Sequence, residues 1–221
     1  MKKNSLSRIV VFTWFLTLVL GLDLKAQNDA EAGKWLDEAS ETMSQYENIS
    51  VDFDYVLDNR AEDVTQELSG SVLLKGEMYV VNLFGSTQIY DGNKTYTIIP
   101  ENEEVNISDA DVNDENTFTP SKFYSFYKSG YTYVMGEQKT LNGKKVQFIT
   151  LTPIDSNSEV ASILVGIEVG SKHIYQVIEI GNNETRTILT AKKIETNQKM
   201  ESKTFSFDEQ KYIDMNYLIN R

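Results

Sequence analysis

The sequence predicts a mainly β fold, an unclosed, half-barrel-like antiparallel sheet of about ten or eleven strands with helices as a lid. Three observations predict it. Apolar and polar residues alternate with period two over most of the chain, the period of a half-buried strand. Glycine-centred turn signals separate these runs at short intervals, with Asp91-Gly92 and Asn142-Gly143 as the strongest hairpin signals. Only two stretches carry helical spacing, one near the start and one in the middle. So many sequential antiparallel strands curl or close rather than lie flat, and helices over the open side leave an apolar interior suited to a greasy ligand.

Residues 1–26 read as a signal peptide cleaved near Ala26, with an uncleaved N-terminal anchor as the alternative. Lys2, Lys3 and Arg8 precede an apolar run from Ile9 to Leu22 that is short for a membrane span. Residues 27–221 are expected to form one domain, exported to the periplasm. The chain has no cysteine, so it takes no lipid at a cleavage-site thiol and relies on its core rather than on disulfides. The net charge of −12 becomes more negative once Lys2, Lys3, Arg8, Lys25 and Asp23 are removed. Such acidity argues against nucleic acid and against lingering on anionic lipid.

The first helix is expected from Asn28 to Tyr46, with Asn28 as cap and Ala32, Trp35, Leu36, Ala39, Met43 and Tyr46 on one face. A strand follows, with Ile49, Val51, Phe53, Tyr55 and Leu57 on one side and Ser50, Asp52, Asp54 and Asp58 on the other. After a turn at residues 59–63, Val64 to Lys75 leads into a meander of four strand-like runs between Leu68 and Ile107. Its breaks fall at Lys75-Gly76-Glu77, Phe84-Gly85-Ser86 and Asp91-Gly92-Asn93. Residues 101–115 hold seven acids and no base and read as a solvated loop.

Thr119-Pro120 starts a second helix, in which Phe123, Phe126 and Tyr127 recur at three and four residues and Gly130 is the stop. It either plugs a core or lines a cavity. Strands then follow from Tyr131 to Ile194, and the tail from Thr204 repeats aromatics at Phe205, Phe207, Tyr212 and Tyr217.

No catalytic constellation is expected. His173 is the one histidine, so triads and imidazole or thiolate metal sites are excluded, and no metal or cofactor is expected. Asp52 and Asp54 are the polar half of an alternating strand, not a hydrolytic pair. No phosphate-binding glycine motif occurs.

G-S-V-L-L-K-G-E-M-Y from Gly70, D-G-N-K-T-Y-T-I-I-P from Asp91, T-P-S-K-F-Y-S-F-Y-K-S-G from Thr119, L-T-P from Leu151 and F-S-F-D from Phe205 carry a resemblance. In this order and spacing they resemble the LolA family of periplasmic outer-membrane lipoprotein carriers, over nearly the whole chain after the leader. The resemblance implies an unclosed barrel whose cavity holds lipoprotein acyl chains, received from an ATP-driven inner-membrane complex and passed to an outer-membrane acceptor. It implies a non-enzymatic carrier, expected to be a monomer. On that reading Phe53, Tyr55, Val72, Leu74, Tyr79, Val81, Leu83, Tyr96 and Ile98 form the cavity wall, and Phe123, Phe126 and Tyr127 close it. The family places an arginine after the strand-turn lysine as a lid latch, whereas Gly76 follows Lys75 here. The alternatives are a lipid-binding or sensing protein of the envelope and a small-ligand enzyme of the same fold.

Overall fold

The computed structural model describes residues 29–59, 62–109, 124–201 and 203–221. The expected signal peptide, Asn28 and Phe123 lie outside them. Helix α1 (Ala30–Ser44) is capped by Asp29, whose carboxylate accepts hydrogen bonds from the backbone N–H of Glu31 and Ala32 at 2.8 and 3.3 Å. The cap is therefore one residue later than expected. Hydrogen bonding to the Glu31 and Ala32 amides holds the Asp29 carboxyl below the usual range. Ala32, Leu36, Ala39 and Met43 are the buried positions of the helix.

Among the described residues twelve strands form one sheet: β1 (Ile49–Asn59), β2 (Val64–Lys75), β3 (Met78–Leu83), β4 (Ser86–Tyr90), β5 (Lys94–Ile99), β6 (Glu104–Asp109), β7 (Tyr131–Leu141), β8 (Lys144–Pro153), β9 (Val160–Glu168), β10 (Ile174–Gly181), β11 (Arg186–Thr196) and β12 (Leu218–Asn220). Their order is β12-β6-β5-β4-β3-β2-β1-β11-β10-β9-β8-β7, so among the described residues β12 and β7 are the edges and the sheet is unclosed. Every pairing is antiparallel except β12 on β6. The mainly β, open architecture is that expected from sequence. Turns explain its sharp corners: Phe84-Gly85 and Asn142-Gly143 have positive φ at both central residues, as a primed two-residue hairpin requires.

Two parts of the acidic and C-terminal stretches depart from expectation. Glu104–Asp109 is a paired strand rather than a loop, because Val105 and Ile107 alternate with its polar residues. A 3-10 turn at Pro100–Asn102, ended by Glu103 in the left-handed region, divides it from β5. The tail forms a short helix, α2 (Glu209–Asp214), before β12.

The main core lies between α1 and β7–β10, where Leu36, Ala39, Tyr127, Ile149, Leu151 and Val165 pack together. The Asp29 amide donates to Tyr133 O of edge strand β7 at 3.0 Å, and the Met135 amide donates to Asp29 Oδ2 at 3.4 Å. One residue thus caps the helix and ties it to the sheet edge.

Candidate functional site

In an antiparallel ladder, directly opposed residues project from the same face. The register therefore assigns every strand position to one of two faces. Ile49 opposes Leu74, Leu74 opposes Tyr79 and Tyr79 opposes Tyr90. Tyr55 opposes Leu189, Leu189 opposes Val177, Val177 opposes Val165 and Val165 opposes Ile149. These chains meet along β1, so the face that packs on α1, the inner face, also carries Phe53, Tyr55, Val72, Leu74, Tyr79, Val81 and Leu83.

Burial is graded along it. Leu74 and Tyr79 are only 5% and 4% exposed and form a buried cluster with Tyr90, against which Val72, Val81 and Tyr124 pack. Phe53, Tyr55, Val72, Val81 and Leu83 are only partly buried. At the far end Tyr55 meets Phe84 edge-on at 5.1 Å, and Phe84 is 55% exposed. Gly70 opposes Phe53, and a Cβ at Gly70 would lie 2.6 Å from Phe53 Cζ. The ring therefore lies flat across the strand, which only glycine permits. Leu57 shares this face, on the side where its alternation places it, and so does Leu68, opposite Tyr55; neither was among the expected wall residues.

Tyr96 and Ile98 do not belong to it. Tyr90 opposes Thr95 and Gln88 opposes Thr97, so the inner positions of β5 are Thr95, Thr97 and Ile99. Ile98, 3% exposed, opposes Val105 on the outer face, and Tyr96 stacks there on Phe207 with ring centroids 4.6 Å apart. Phe207 stacks in turn on Tyr212 at 5.3 Å, and Tyr212 meets Tyr217 at 5.2 Å. The C-terminal tail thus forms a second small aromatic cluster on the outer side of β5.

The segment entering β7 closes over the inner face. Residues 124–125 are helical and run into a 3-10 turn, Phe126–Lys128. Phe126 meets Tyr127 and Tyr131 edge-on at 6.4 and 5.9 Å, and Tyr127 meets Tyr133 at 6.3 Å. The Tyr127 hydroxyl donates to Asp37 Oδ1 of α1 at 2.6 Å. Burial, and then the Asp37 carboxylate, push the Tyr127 phenol well above its ordinary value. Tyr124, missed as a lid residue, has its phenol raised by burial and by the Glu77 charge.

Helix α1 is held down at two further points. Lys172, at positive φ in the turn after β9, pairs with Glu38 at 2.9 Å and sits 3.3 Å over the Trp35 ring. The Tyr46 hydroxyl and His173 Nε2 are 2.9 Å apart, and burial pushes the His173 pKa down. Lys75, followed by Gly76, pairs with Glu47 at 3.3 Å.

Between the end of α1 and the floor lies a cleft of about 270 Å³, lined by Met43, Tyr46, Ile49, Leu74 and Tyr124 among others. A larger hollow of about 680 Å³ borders Asp52, Ser71, Asn82 and Thr87, which the register turns to the outer face. Its polar groups satisfy one another, Asn82 donating to Ser71 and Thr87 to Asn82 at 3.0 and 2.7 Å. The apolar inner face is the candidate site. Among the described residues, no group of three or more His, Cys, Asp or Glu side chains is placed to hold a metal ion.

No family model matches the chain, and no curated protein matches it. Solved structures do. An uncharacterized conserved protein from Thermus thermophilus superposes with a TM-score of 0.58 at 8% identity, over 86% of this chain and 99% of that one. That likeness shows a shared fold. A LolA superfamily protein from Nitrosomonas europaea (TM-score 0.40, 11% identity, 80% and 98% covered) and the lipoprotein LppX of Mycobacterium tuberculosis (0.47, 13%, 79% and 99%) are also similar. These two likenesses are too distant to speak for the site.

Proposed function

We propose that the protein is an exported, monomeric carrier that shields the acyl chains of lipoproteins on the inner face of its sheet and takes them from the inner to the outer membrane. The observation that carries this reading is the graded burial of one apolar surface. Leu74 and Tyr79 are sealed, while Phe53, Tyr55, Val81 and Leu83, in continuity with them, keep part of their surface exposed. An ordinary core buries such residues; a binding floor leaves area for a ligand to cover.

The energetic need is large. At ~0.8 kcal/mol per CH₂, an acyl chain of about sixteen carbons gains roughly 12 kcal/mol on leaving water, so it does not cross an aqueous space unshielded. The role requires export, consistent with the basic and apolar leader at residues 1–26. Among the described residues no helix is long and apolar enough to cross a membrane. In this reading the inner-membrane partner is an ATP-driven releasing complex, the outer-membrane partner is an acceptor, and neither catalysis nor a cofactor is involved.

Native mass spectrometry of the protein purified from the periplasm tests the reading. A complex with the mass of the chain plus a lipoprotein is expected. Bound free lipid instead makes it an envelope lipid-binding or sensing protein, and a bound small metabolite an enzyme; either result overturns the lipoprotein carrier.

A further inference from the structure

The register that removes Tyr96 and Ile98 from the inner face also shows what replaces them. Over β4–β6 the inner positions other than Tyr90 and Ile99 are polar and, Glu104 apart, uncharged, among them Gln88, Thr95, Thr97 and Asn106. They form a rail beside the apolar floor. The Tyr79 hydroxyl donates to Gln88 Oε1 at 3.2 Å, and Gln88 Nε2 donates to Thr97 Oγ1 at 3.4 Å, a long contact that an incoming group can replace. Asn220 of β12 extends the rail by donating to Asn106 Oδ1 at 3.0 Å and to Glu104 Oε1 at 2.6 Å.

The charges on this part of the face are one-sided. Although the chain has 21 lysines and arginines, none occupies an inner-face ladder position of β1–β6 among the described residues. Lys75 and Lys94 project outward, since their partners Met78 and Asp109 lie on the other face, and so does Lys193 of β11, opposite Asp52. Lys145 of β8 shares the inner parity, but six strands separate β8 from β4. The charged residue the register places within the rail is Glu104, opposite Ile99. An anionic head group settled there therefore finds amides, hydroxyls and a carboxylate, with no cation in the ladder to neutralise it. Moving an anion from water to such a surface carries an uncompensated desolvation cost, and a net charge of −12 adds repulsion.

Resting on the carrier reading, we propose that the rail selects the head group: the inner face accepts acyl chains attached to an uncharged ester, amide or hydroxyl group and discriminates against anionic phospholipid. An ester or amide carbonyl accepts from Gln88 Nε2 or Asn220, and a hydroxyl donates to Thr97 or Asn106 while the chains run over Phe53, Tyr55 and Leu83. This chemistry belongs both to the diacylglyceryl anchor of a lipoprotein and to a free neutral glyceride. The rail thereby separates cargo from the anionic lipid that surrounds it at a membrane.

The test is competition binding to delipidated full-length mature protein at low ionic strength. The probes are a diacylglyceryl-cysteine peptide with an uncharged peptide part, a free diacylglycerol and a phosphatidylglycerol, all with the same acyl chains. Both neutral probes are expected to bind at least about tenfold more tightly than the phosphatidylglycerol. Preference for the peptide assigns the rail to a lipoprotein anchor, and preference for the glyceride assigns it to a free lipid. Gln88→Lys, or Thr97→Lys if the first variant misfolds, is expected to bring phosphatidylglycerol close to the neutral probes. Phosphatidylglycerol binding as tightly as the neutral probes in the wild type overturns the head-group proposal and leaves the carrier standing. Failure of all three probes to bind overturns both.

Discussion

Replacing Tyr96 with alanine separates the two faces of the sheet. In the structure this side chain lies on the outer face, stacked on Phe207 with ring planes 19° apart, and its hydroxyl donates to Asp91 Oδ2 at 2.9 Å. The Asp91 carboxylate keeps the Asn93 and Lys94 amides as partners at 2.9 and 2.8 Å, so the turn is not orphaned by the change. The stack contributes ~0.5–1.5 kcal/mol beyond area. Removing a large aromatic from a packed site costs ~3–5 kcal/mol in total. Tyr96 is only partly buried, which places the loss near the low end, about 3 kcal/mol. Urea unfolding is expected to show this loss with an unchanged slope. Affinity for an acyl ligand, measured where the variant is fully folded, is expected to stay within about twofold of wild type, a change too small to represent a lost contact. A fall of about tenfold in affinity with stability intact would mean that Tyr96 touches ligand and that the face assignment is wrong.

Three other perturbations probe the parts that position the site. Gly70→Ala drives a methyl to 2.6 Å from Phe53 Cζ and 2.9 Å from the Asn82 carbonyl oxygen; the ring can turn but the backbone must shift, so a loss of ~1–3 kcal/mol in unfolding free energy is expected together with weaker acyl binding. Asp29→Ala removes the cap of α1 and the bond to Met135; because the Asp29 pKa is depressed in the folded protein, the wild type's advantage is present above the usual carboxylate range and is lost as pH falls through the folded pKa, which unfolding curves of the two proteins at several pH values will show. His173 has a folded pKa below the ordinary histidine value of 6.5, so the neutral form is the one the fold favours: its contribution is present above 6.5 and declines as pH falls towards the folded value, and His173→Asn is expected to flatten that part of the stability profile, with an unchanged profile contradicting the assignment.

Much of the fold was legible because local chemistry dictates it. Asn142-Gly143 and Phe84-Gly85 make hairpins for stereochemical reasons independent of the remainder of the chain. The spacing of Ala32, Leu36, Ala39 and Met43 likewise gives the buried face of α1. The faces of later strands were harder to read, because a hairpin can pass the inner position from an odd-numbered residue to an even-numbered one. Leu74 hands it to Tyr79, Tyr79 to Tyr90 and Tyr90 to Thr95. Alternation alone marks Tyr96 and Ile98 as apolar but not as outward, and one step of register exchanges the faces.

The tail hid for another reason. Phe205, Phe207 and Tyr212 show no sustained period, and the stacking of Phe207 on Tyr96 is a long-range contact that local pattern does not encode. β12 is three residues long and gains its pairing only from β6. The strand at Glu104–Asp109 was masked by charge: its acids flank Val105, which is fully buried on the outer face. Lys172 carried no signal at all, since its role comes from a turn that brings it over Trp35.

The central claim is that acyl chains lie on the inner face. A palmitoyl ligand bearing a diazirine near its terminus, cross-linked to the delipidated protein and located by peptide mass spectrometry, addresses it directly. The structure predicts adducts on Phe53, Tyr55, Val81 and Leu83. Adducts concentrated on Tyr96, Phe207 or the outer hollow beside Asn82 would contradict it.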